Sequence, residues 1–178
     1  MAGQRTAALS AGILSVLMLA LVLAGAAPAR AQQQTGDTGL PLPRFVSLKA
    51  GKVNVRAGPT SKHPVKWVFL KSALPVEVVQ EFDNWRRIRD SEGEEGWVFH
   101  TLLSGRRTGL VEPWAGGQRI NMYASADDQA RVVAIIAPKR VVTLKECDGT
   151  WCEGSIEGVR GFVHQKQLWG VYPDEKFD

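Results

Sequence analysis

Cysteine and histidine are scarce: 178 residues hold two of the first and three of the second. A zinc site takes about four ligands. His63, His100 and His164 have no metal-type spacing with Cys147 and Cys152. No metal is expected, and no motif implies a cofactor. A strong charge of one sign is missing too, with 22 Lys and Arg against 18 Asp and Glu. Nucleic acid is therefore a poor partner, because binding it calls for a concentrated basic footprint. There is one long apolar run, near the start, and no long stripe of 3.6-residue period after it. Membrane-spanning bundles and helical folds are thereby excluded for residues 32–178.

The one apolar run is informative. Arg5 precedes it, the run occupies residues 7–24, and Ala29-Arg30-Ala31 follows. A basic start, an apolar middle and a small-x-small end describe a cleaved secretory signal over residues 1–31. A spanning helix needs roughly 20 apolar residues, so no transmembrane anchor is expected after cleavage. The expected location is periplasmic. Removing Arg5 and Arg30 leaves 20 − 18 = +2. That charge is uneven: residues 44–107 carry 12 − 7 = +5 and residues 108–178 carry 8 − 10 = −2. In an oxidising compartment a close cysteine pair reads first as a disulfide. Cys147 and Cys152 flank Asp148-Gly149-Thr150 on opposite arms of a hairpin, where facing Cβ atoms come within bonding reach. Free buried thiols and a nucleophile are the competing readings.

The chain repeats itself. Val53-Asn54-Val55-Arg56-Ala57-Gly58-Pro59 is echoed by Ile120-Asn121-Met122-Tyr123-Ala124-Ser125-Ala126. Asp83-Asn84-Trp85 corresponds to Asp148-Gly149-Thr150-Trp151, and Gly96-Trp97-Val98 to Gly161-Phe162-Val163. Two copies are too few for a solenoid. Within each copy, short β-branched and aromatic runs alternate with Asp-Asn, Glu-Gly and Asp-Gly turns, the pattern of a small sandwich or barrel. The expected architecture is all-β, with two tandem small barrels. Residues 32–43 are expected to be a flexible leader, 44–107 barrel 1, 108–117 a linker, 118–173 barrel 2 and 174–178 a tail.

The segments Val53-Asn54-Val55-Arg56-Ala57-Gly58-Pro59, Pro64-Val65, Asp83-Asn84-Trp85 and Gly96-Trp97-Val98 resemble bacterial SH3-like domains. The wider wording, including 102–107 and Leu168-Trp169-Gly170-Val171-Tyr172, is similar to exported tandem proteins of Gram-negative bacteria. The resemblance implies two SH3-like β-barrels. It also implies a wall-binding role, since relatives are often attached to cell-wall enzymes. The second copy departs from the pattern, having lost the Arg and Gly of 56–58, so a ligand role for Arg56 does not extend to it. Fold alone does not fix function.

No catalytic constellation emerges. Glu92, Glu94 and Glu95 lie in a Gly-containing turn, where carboxylates stay solvated, whereas acid–base pairs need a partly buried, perturbed acid. Asp127-Asp128 is the same case. His100 and His164 do not occupy one repeated position and read as surface or packing residues. Gly116-Gly117 is an isolated pair. Two barrels take up nearly all of residues 32–178, so no enzymatic activity is expected. A binding surface is the better prospect. Trp85-Arg86-Arg87-Ile88-Arg89 sets three guanidiniums beside an aromatic, and Arg suits carboxylates. The ligand candidates are thus Arg56, Trp85, Arg86, Arg87 and Arg89. The competing reading packs Trp85 and Ile88 and leaves the arginines solvated. The expected partner is peptidoglycan or another anionic envelope polymer, and otherwise an envelope protein bound by an adaptor.

Overall fold

The computed structural model describes residues 34–111 and 117–178. The signal segment expected at 1–31 lies outside them, as does half of the expected linker, including Pro113 and Trp114. The described chain is built from strands and two short 3-10 turns, His100–Leu102 and Gln165–Gln167. No helix among the described residues is long and apolar enough to cross a membrane.

The strands are β1 (Gln34–Thr35), β2 (Pro41–Leu42), β3 (Arg44–Leu48), β4 (Val53–Arg56), β5 (Val65–Phe69), β6 (Pro75–Phe82), β7 (Trp85–Arg89), β8 (Glu95–Phe99) and β9 (Leu103–Ser104). Then follow β10 (Thr108–Val111), β11 (Ile120–Tyr123), β12 (Val132–Ile136), β13 (Val141–Asp148), β14 (Trp151–Ile156), β15 (Val159–His164), β16 (Leu168–Trp169) and β17 (Lys176–Phe177). The first sheet runs β5-β4-β8-β7-β6-β3-β9, and the second runs β12-β11-β15-β14-β13-β10-β16. These are the same antiparallel path walked twice. Even the irregularities repeat. The β4–β5 register shifts between Val55 and Arg56, and the β11–β12 register between Met122 and Tyr123. Such bulges re-aim the side chain beside them. The chain therefore folds as the two tandem SH3-like barrels expected.

Alternation builds each core. Val53 and Val55 point in while Asn54 points out, and Ile120 and Met122 point in while Asn121 points out. The first interior is Val53, Val55, Val76, Val78, Ile88 and Val98, all fully buried, with Leu48. Each such side chain contributes about 1.5–3 kcal/mol over leaving it exposed. The repeated Gly-aromatic-Val has a steric origin. A Cβ on Gly96 would overlap Val55, and one on Gly161 would overlap Met122 and the Tyr123 carbonyl. Only glycine lets β8 and β15 cross so close to β4 and β11.

Three boundaries differ from the sequence expectation. Thr108–Val111, read as linker, is a strand that pairs with β13 and β16 in the second sheet. The leader is not wholly free, because β1 and β2 pair and Leu42 is buried against the first core. Within it, the Thr38 N–H and hydroxyl donate to Glu81 at 2.8 and 2.9 Å. The tail is also anchored: β17 pairs with β13, and Glu175 binds Arg107 at 2.8 Å. For Thr38, β10 and β17 the partner lies more than 20 residues away, beyond the reach of local pattern, whereas β1 and β2 pair locally.

The barrels touch through aromatic side chains. Phe45 of β3 meets Trp169 edge-on, with centroids 5.1 Å apart, and Tyr172 at 4.7 Å. The Tyr172 hydroxyl donates to Glu77 at 2.8 Å, and the Thr108 hydroxyl donates to the Ala73 carbonyl at 2.9 Å. Burial first, then the Glu77 carboxylate, pushes the Tyr172 phenol well above its ordinary value. It stays protonated and able to donate.

Candidate functional site

The five ligand candidates do not form one surface. Alternation along β7 sends Trp85, Arg87 and Arg89 to one face, and Arg86 and Ile88 to the other. Arg86 is 7% exposed. Its Nε lies 3.1 Å from Glu81, and its guanidinium donates to the Asp83 and Trp85 carbonyls at 2.8 and 2.9 Å. Glu81 is a hub that also binds Arg44 at 2.6 Å. Burial alone would raise its carboxyl. The Thr38 N–H, the Arg44 guanidinium and the Thr38 hydroxyl together outweigh burial and hold it below its ordinary value.

The other two arginines of β7 are engaged as well. Arg87 pairs with Glu95 across to β8 at 2.7 Å. Arg89 Nε donates to Glu77 at 2.8 Å, beside the junction with the second barrel. The expected cationic patch is thus corrected: one guanidinium is interior, and all three are neutralised by carboxylates. The reason is cross-strand pairing, which sets Glu77 opposite Arg89 and Glu81 opposite Arg86 and places Glu95 diagonally from Arg87.

Arg56 and Trp85 do come together. They line a shallow cavity of about 490 Å³ with Asn54, Pro59, Phe82, Asp83 and Phe99. Trp85 packs edge-on against Phe99, with centroids 5.4 Å apart. Phe82 is 55% exposed. The Arg56 guanidinium donates to the His63 carbonyl at 2.7 Å, which ties it to the loop 57–64. The bulge at Arg56 delivers this side chain beside the turn 82–85. The result is an exposed aromatic platform with one cation at its edge, which makes no salt bridge among the described residues, and with Asp83 in the same lining.

The second barrel repeats the platform with different chemistry. Tyr123 stands where Arg56 stands, Trp151 where Trp85 does and His164 where Phe99 does. Tyr123 meets Trp151 edge-on at 5.5 Å. His164 stacks on Trp151 with centroids 3.8 Å apart and planes 27° from parallel. His164 Nε2 donates to Asp128 at 2.7 Å. Sequence reading missed His164 as a site residue. The signal was present, because aligning the repeats through Gly161 and Gly96 sets His164 opposite Phe99. Cys147 and Cys152, directly opposed on β13 and β14, are joined by a disulfide. It closes the hairpin that presents Trp151.

These shapes agree with the family comparison. The description bacterial SH3 domain matches residues 49–105 and again 116–170, more than half of the chain. Two solved structures are similar to it, both from Trichomonas vaginalis. NlpC2 is 16% identical, with a TM-score of 0.31, covering 71% of this chain and 48% of its own. NlpC1 is 14% identical, with a TM-score of 0.30, covering 78% of this chain and 50% of its own. The chain therefore spans about half the length of each, and likenesses this distant carry no argument. No curated protein matches the sequence. The paired barrels, their duplicated bulges and the two matched regions agree: the chain belongs to the bacterial SH3 domain family, with two domains in tandem.

Proposed function

We propose that this protein is an exported, non-catalytic binding module of the cell envelope that holds peptidoglycan or another anionic envelope polymer on its aromatic platforms. Bacterial SH3 domains are binding modules, commonly for cell-wall polymers or proteins. The observation that carries the reading is the duplicated platform, Trp85 with Phe99 and Trp151 with Tyr123 and His164. Aromatic faces suit the apolar faces of sugars. Arg56 adds a cation for carboxylates at the first platform only. Export and periplasmic residence rest on Arg5, the run 7–24 and Ala29-Arg30-Ala31. A disulfide suits that compartment.

The first platform is the stronger of the two for an anionic polymer, because Arg56 stands there against one carboxylate, Asp83, whereas Tyr123 takes that place in the second, beside Asp128. The test is co-sedimentation with purified sacculi. Trp85→Ala should weaken binding by about tenfold or more, the loss typical of a hot-spot aromatic. Trp151→Ala should cost less, and Arg56→Ala should reduce the dependence on salt. Equal binding by all four proteins would refute the reading, and release of soluble fragments would refute its non-catalytic part.

A further inference from the structure

A second cavity, of about 820 Å³, lies where the barrels meet. Its wall includes the aromatic trio Phe45, Trp169 and Tyr172. These come from both barrels, so the cavity exists only in the tandem. Two features separate it from the platforms. First, its apolar wall is shared, Phe45 of one barrel packing on Trp169 and Tyr172 of the other. Second, its rim carries a net negative charge. Glu77 is already satisfied by Arg89 and Tyr172. That leaves Asp90, Glu92 and Asp174 against Lys166 among the lining residues, 3 − 1 = 2 negative charges in excess. Lys139 meets Glu92 only at 3.5 Å between two exposed side chains, too loosely to cancel it.

We propose that this inter-barrel groove is a docking site for an extended segment of a partner protein that carries a Lys or Arg beside an apolar residue. The apolar side chain packs on Phe45 and Trp169. The basic head group sits among Asp90, Glu92 and Asp174. A carboxylate-rich polymer is disfavoured by the same rim, so this surface and the platforms select different ligands. The site does not depend on the polymer reading.

A random heptapeptide display library, selected on the purified disulfide-bonded protein, supplies the probe. Binding of one synthetic enriched peptide is then measured by fluorescence anisotropy. The enriched peptides should share a basic residue next to an apolar one. Trp169→Ala removes the apolar wall and should weaken binding about tenfold or more, the loss typical of a hot-spot aromatic. Glu92→Gln/Asp174→Asn changes only exposed rim residues, and should weaken binding about threefold to tenfold and flatten its salt dependence. Absence of enrichment, a consensus without basic residues, or peptides that bind both variants as well as wild type would overturn the proposal.

Discussion

Glu81 shows how a single residue shapes the first barrel. Its carboxylate receives Thr38, Arg44 and Arg86. Removing one partner from a buried ion pair strands the others, so Glu81→Gln should destabilise the protein at neutral pH by on the order of 3 kcal/mol. A carboxyl held below its ordinary value of 4.5 contributes stability that is complete above that value. That contribution is lost as pH falls through the lower folded value. Denaturant titrations should therefore show the gap between Glu81→Gln and wild type closing below about pH 4.5. A gap that stays constant down to pH 2 would refute the assignment. Arg86 illustrates what was legible at this scale. Alternation in Trp85-Arg86-Arg87-Ile88-Arg89 already separates it from Arg87 and Arg89. That it turns inward onto Glu81 follows from pairing across to β6, which composition does not reveal.

At the scale of elements, the strands read best were those whose apolar alternation and turns lie side by side. Val53-Asn54-Val55 and Trp85-Arg86-Arg87 are examples. β10 was missed because Thr108-Gly109-Leu110-Val111 is four residues long and contains a glycine. Its partners, Val141 to Thr143 and Leu168 to Trp169, lie about 30 and 60 residues on. Val111 is fully buried in the second core and Thr108 almost so. The second barrel thus begins before Thr108. A fragment of residues 106–178 should unfold cooperatively in urea, whereas one of residues 118–178 should show no cooperative transition. Equal cooperativity in the two fragments would return β10 to the linker.

At the largest scale, the described residues form two barrels joined by a small, specific seam. Phe45, Trp169 and Tyr172 pack across it, and Tyr172 donates to a buried Glu77. A hydrogen bond to a charged group is worth about 1.5–3 kcal/mol. Calorimetry should therefore show one transition for wild type. Tyr172→Phe should divide it, with one component shifted down by a few degrees. Two transitions in wild type would mean that the seam does not couple the barrels.

The central claim is that the ligand lies on the aromatic platforms. It is tested most directly by 15N-indole spectra of the protein titrated with solubilised peptidoglycan fragments. The six tryptophans report six separate places on the chain. The account predicts saturable shifts of the Trp85 signal first and Trp151 second, with Trp67, Trp97 and Trp169 unmoved. Shifts confined to Trp67, Trp97 or Trp169, or no shift at all, would contradict it.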